Sequence, residues 1–186
     1  MRVIGITGII GTGKSTVCAI LKDLGFAVID ADKVGHKLLR SSKTVKQNVL
    51  KAFGTVQRAK LADIVFSDPL KLLELNNILH PPMKKEIAVQ IKKLKKQKYK
   101  GIALEAAVFV EMQLAGMVDE IWMITASQSN IIKRLKVKNL ELKQIVKRLK
   151  EASSSKEMKL MANVTINNNS TITALRKKLK TLISSK

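Results

Sequence analysis

Apolar residues follow two rhythms along this chain. Short continuous runs, RVIGIT (2–7), FAVID (26–30), GIALE (101–105), EIWMIT (120–125) and NVTIN (163–167), read as buried strands of a parallel sheet. Elsewhere the apolar positions recur three and four apart, the spacing of one helix face. Val17, Ile20, Leu21 and Leu24 mark a helix over 14–24 that Gly25 closes. Strand, turn, helix and strand in the first 30 residues make a βαβ unit.

The stretch 33–100 has the helical rhythm almost throughout. Leu38 and Leu39, then Val45, Val49, Leu50 and Phe53, mark two helices before Gly54. Leu61, Ile64, Val65 and Phe66 mark a third, and Asp68-Pro69 opens a fourth through Leu79. His80-Pro81-Pro82 is expected to end that helix, because proline lacks the N–H a helix interior needs. A long helix should follow to about Lys98, with the exposed run KKLKKQKYK (92–100) at its end. Residues 127–152 read as helical and basic, and 170–184 as a last helix. Alternating β and α elements predict one α/β domain with a five-stranded parallel sheet covered on both faces. Its core would be 1–32, 101–126 and 156–186. The block 33–100 would be a helical substrate-binding insert, and 127–155 a lid.

Composition narrows the class. A chain of 186 residues, 46% apolar, can build a core without staples. No apolar run approaches the roughly 18 residues of a spanning helix. The N-terminus does not read as a signal peptide, and the single cysteine, Cys18, leaves no internal disulfide. A cytoplasmic protein with no membrane partner is expected, with Cys18 as a buried apolar residue. The net charge of +21 could attract a polyanion. Yet the excess is nearly all lysine, with arginine only at 2, 40, 58, 134, 148 and 176, and aromatics are 3%. That leaves little for base readout or stacking. Drift toward AT-rich codons would give the same bias, and no nucleic-acid partner is expected.

Candidate chemistry begins at GIIGTGKST (8–16), which fits G-x-x-x-x-G-K-[ST] after a strand and before a helix. Backbone N–H groups of Gly8, Ile9, Ile10, Gly11, Thr12, Gly13, Lys14, Ser15 and Thr16 would cradle ATP phosphates. Lys14 would reach the β and γ phosphates, and the Ser15 hydroxyl would ligate Mg²⁺. Thr7 and Thr16 flank the loop and pack or cap. Asp30 and Asp32 follow the second strand, at the sheet edge where ligands bind in α/β folds. Read as an extended segment, they share a face, and a carboxylate there can take a proton from an attacking hydroxyl. The competing role for either is to N-cap the next helix.

These residues resemble the dephospho-CoA kinase family. The likeness runs through TGIIGTGKST (7–16), LGFAVIDADKV (24–34), RAKLADIVFSDP (58–69), LHPPM (79–83), LEAAVFVE (104–111) and NVTINNN (163–169). It implies a P-loop kinase fold, with ATP and dephospho-CoA as substrates and phosphorylation of the ribose 3′-hydroxyl. Asp32 would be the general base, and His80 and Glu111 would help form the acceptor site. For His80 a capping or core role is the alternative. Arg134 and Arg148 match basic lid positions that approach the phosphates. A monomer is expected.

The chain departs from the family pattern at several points. Glu105 stands for an aspartate, which would shift a contact near Mg²⁺ by about one bond; Ala107 stands for a proline. Lys138 stands for a lid arginine and lacks its bidentate fork. Ser153 replaces a usual glutamine, and Asn163 and Asn167 stand where aspartates are common. The readings kept beside the leading one are another small-molecule kinase, such as a nucleoside monophosphate kinase, a nucleotide-dependent nucleic-acid binder, and an ATP-binding protein that has lost transfer.

Overall fold

Strands β1 (Arg2–Thr7), β2 (Phe26–Asp30), β3 (Gly101–Glu105), β4 (Glu120–Thr125) and β5 (Val164–Asn167) form one sheet in the order β2-β3-β1-β4-β5. The computed structural model describes residues 1–137 and 155–185. The sheet is parallel. Arg2 faces Gly101 and Ile6 faces Glu105, Ile4 faces Glu120 and Thr7 faces Met123, and Trp122 faces Val164. β1 is central, so its Val3, Ile4 and Ile6 are buried, as continuous apolar strands of parallel sheets must be.

Helices among the described residues are α1 (Lys14–Asp23), α2 (Ala31–Ser41), α3 (Lys43–Phe53), α4 (Arg58–Ser67), α5 (Pro69–Leu94), α6 (Gln128–Lys136), α7 (Ser155–Met161) and α8 (Ile172–Ser184). One core joins Ile4, Ile6, Trp122, Ile124 and Ile166 of the sheet to Val17, Cys18, Ile20 and Leu21 of α1 and Leu175 and Leu179 of α8. Cys18 is buried there, in no disulfide among the described residues. Three of these starts are capped by hydroxyl side chains. Ser42, Ser127 and Thr171 accept from the backbone N–H of Val45, Asn130 and Ala174.

The chain divides into two compact units, Met1–Ile29 with the residues from Lys93 on, and Asp30–Lys92. The second has its own core of Val45, Val49 and Leu61, with Leu38, Leu75, Ile78 and Leu79 against it.

Three expectations are corrected. The helix over 69–79 does not end at His80-Pro81-Pro82; α5 continues through both prolines and stops at Leu94, short of Lys98. Proline's fixed φ suits a helix, so the cost is the missing N–H groups and the ring clash. Apolar anchors on both sides offset that cost: Leu75, Ile78 and Leu79 before the prolines, buried Met83, Ile87 and Ile91 after them. Second, Asp30-Ala31-Asp32 is not extended. β2 ends at Asp30 and α2 starts at Ala31, because the Asp30 side chain caps α2 by accepting from the Lys33 N–H at 3.1 Å. The last strand also begins one residue later than expected, at Val164.

Candidate active site

β1 carries the chain into the loop at Gly8, and α1 carries it out at Lys14. Glycine is required at both ends of the turn. Gly8 has φ 140°, and a Cβ there would lie 2.4 Å from the Ile124 carbonyl oxygen. Gly13 has φ 98°, and a Cβ there would lie 2.1 Å from Asn168 Nδ2. Gly13 also occupies the N-cap of α1 and supplies no side-chain cap. The N–H groups of the first helical turn are therefore not taken by a capping side chain, the arrangement that suits an anion.

Lys14 bends back over the loop and its Nζ donates to the carbonyls of Gly8 at 2.8 Å and Ile9 at 3.3 Å. The Thr12 hydroxyl closes the turn on the Ile9 carbonyl at 2.9 Å. Ile9 and Ile10 pack with Ile131 and Leu135 of α6. Thr7 is buried and packs, its hydroxyl donating to Met158 Sδ.

Ser15 Oγ donates to Glu105 Oε1 at 2.8 Å. β3 lies beside β1, so Glu105 ends its strand next to the loop. The extra methylene of Glu105 does not take the carboxylate away from the Ser15 hydroxyl. Two hard oxygen donors converge there. No cluster of three or more His, Cys, Asp or Glu suited to a metal occurs among the described residues. That is compatible with Mg²⁺, which protein sites hold through one or two oxygen ligands plus substrate phosphates.

The sequence reading did not single out Asn168. It is 5% exposed, and its Nδ2 donates to the Thr12 carbonyl at 2.8 Å. Arg134, on α6, donates to the carbonyls of Gly11 at 3.4 Å, Thr12 at 3.2 Å and Asn168 at 2.7 Å. Arg134 thus braces the loop backbone. The signal for Asn168 was its place just beyond the last strand, at the same sheet edge as the loop.

Asp32 lies exposed in the first turn of α2, in the second unit. His80 is half-buried within α5, ahead of Pro81, and Glu111 is exposed in a turn beyond β3. No hydrogen bond or ion pair among the described residues brings Glu111 to the loop. Arg148, Lys138 and Ser153 lie outside the described residues.

The family model described as dephospho-CoA kinase matches residues 2–174 of this chain. A dephospho-CoA kinase of Dehalococcoides mccartyi is 36% identical over 178 residues, covering 91% of this chain and 89% of the relative. One of Carboxydothermus hydrogenoformans is 35% identical, covering 98% and 93%. The solved dephospho-CoA kinase of Campylobacter jejuni superposes with a TM-score of 0.70 at 25% identity, covering 98% of this chain and 95% of that one.

Proposed function

Since this chain belongs to the dephospho-CoA kinase family, we infer that it transfers the γ-phosphoryl of ATP to the 3′-hydroxyl of dephospho-CoA, giving CoA and ADP, the last step of coenzyme A biosynthesis. It is a phosphotransferase with an alcohol acceptor. The observation that carries the chemistry is the loop itself, with Lys14 folded over it and Ser15 bonded to Glu105.

Each residue then has a task. Backbone N–H groups from Gly8 to Thr16 hold the ATP phosphates. Lys14 exchanges its carbonyl partners for phosphate oxygens and neutralises charge on the transferring group. Ser15, with Glu105 beside it, would hold Mg²⁺, which when bound screens the charge between the phosphates. Asp32 takes the proton of the acceptor hydroxyl. Arg134 and Asn168 fix the loop's carbonyls so that its N–H groups keep facing the phosphates. His80 and Glu111 are kept as acceptor-binding residues, and Arg148 as a phosphate-binding one, on the family likeness alone.

The test is product-resolved turnover with ATP, Mg²⁺ and a panel of dephospho-CoA, adenosine, AMP and CMP. Phosphorylation of dephospho-CoA at the 3′-oxygen is the expected result. ADP release with a nucleoside monophosphate alone would replace this reading with the nucleotide-kinase one.

A further inference from the structure

The second unit holds a groove that the loop chemistry does not use. An open groove of about 480 Å³ is lined, among the described residues, by Lys33, His36, Lys37, Arg40 and Ser41 of α2. The opposite side of α2, with Ala31, Val34 and Gly35, is buried. The groove therefore runs along one polar face, and that face begins at Asp32. Asp32, His36 and Arg40 are four apart and share it; Lys33 and Lys37 form the neighbouring row.

The charges there are unequally engaged. Lys33 pairs with Asp30 at 3.1 Å and Lys37 with Glu86 at 3.2 Å. Glu86 also accepts from Gln90 at 2.9 Å, and that bond, ahead of Lys37, holds its carboxyl below the usual range. Arg40 is exposed and takes part in no ion pair among the described residues. A chain drifting toward lysine accounts for Lys33 and Lys37. It does not account for Arg40, since arginine is rare here, nor for His36, one of two histidines.

We propose that this groove binds the diphosphate of the acceptor, with Arg40 as its principal anchor and His36 and Lys37 beside it. The proposal rests on Asp32 being the site of the acceptor hydroxyl. In dephospho-CoA the 3′-hydroxyl and the 5′-diphosphate hang from one ribose, only a few bonds apart. Along α2 His36 lies about 6 Å, and Arg40 about 12 Å, beyond Asp32. An acceptor with its hydroxyl at Asp32 brings its diphosphate one to two turns along, onto the cationic face. Arginine's planar fork suits two adjacent phosphoryl groups better than a lysine point charge.

The experiment uses the full chain, with 3′-phosphorylated product as the readout. Arg40→Ala should raise KM for dephospho-CoA about tenfold or more, as loss of a charge-assisted hydrogen bond predicts. kcat at saturating acceptor and KM for ATP should stay within about twofold of wild type, a split that loss of uniform binding produces. Arg40→Lys should fall between. Inorganic pyrophosphate, probing the anion site alone, should compete with dephospho-CoA, and Arg40→Ala should weaken that inhibition. An unchanged KM for dephospho-CoA, or a rise in KM for ATP instead, overturns the proposal, as does pyrophosphate competing only with ATP. If wild type makes no 3′-phosphorylated product, the kinase reading fails and this one with it. Product from wild type with an indifferent Arg40→Ala overturns this one alone.

Discussion

Two side chains carry the proposed reaction. Asp32, exposed in the first turn of α2, is the proposed proton acceptor. Asp32→Asn keeps its size and removes its basicity, so kcat should fall about 10²-fold or more with KM for ATP little changed. Loss confined to acceptor KM would make Asp32 a binding residue. Glu105 is the second. Its longer side chain reaches Ser15 Oγ at 2.8 Å. Glu105→Ala should raise the Mg²⁺ concentration for half-maximal rate and lower kcat about tenfold, as losing one polar contact to charge implies. A Mg²⁺ titration with an unshifted midpoint would count against that role. The Glu105 substitution was legible as a departure, but the sequence could not say that the carboxylate still meets the hydroxyl. Side-chain reach depends on where β3 ends relative to β1, and register is a tertiary fact.

At the scale of elements, strands and most helices were legible because each carries one clear period with a turn residue at its edge. Two junctions were not. The D-A-D stretch reads equally as strand end or helix start until the Asp30 cap is seen. The double proline reads as a stop, yet α5 runs through it on the strength of contacts distant in sequence. Pro81 is exposed, so Pro81→Ala restores a helical N–H without leaving a cavity. Thermal unfolding should show stabilisation of about 1–3 kcal/mol, within the cost of an interior proline. The loop's brace was missed for the same reason, because Asn168 and Thr12 meet only once the sheet has formed. Asn168→Ala removes the nearer of two donors to the Thr12 carbonyl, leaving Arg134, at a cost of about 0.5–1.5 kcal/mol. A lower melting temperature together with a raised KM for ATP is expected. A stability loss with unchanged KM for ATP would reduce Asn168 to a packing residue.

Over the whole molecule the positive excess is large and spread out. Self-repulsion of like charge destabilises a compact state, and salt screens it. Raising ionic strength from about 0.01 M to about 0.15 M shortens the screening length from about 30 Å to about 8 Å. The melting temperature should rise over that range, read by calorimetry without substrate. A falling value would mean that attractive pairs such as Lys71 with Glu74 outweigh the repulsion. No helix among the described residues is long and apolar enough to cross a membrane.

The strand order has a consequence for synthesis. β1 takes both its neighbours, β3 and β4, from beyond the second unit: Arg2 waits for Gly101, and Ile4 for Glu120. As the chain leaves the ribosome, Asp30–Lys92 is complete, with only local partners to find, before any strand can pair with β1. The helical unit is therefore free to condense first. The VIGIT run that ends in the phosphate loop must meanwhile stay out of the wrong pairings. The stretch proposed to bind ATP is made early and takes its place in the sheet late.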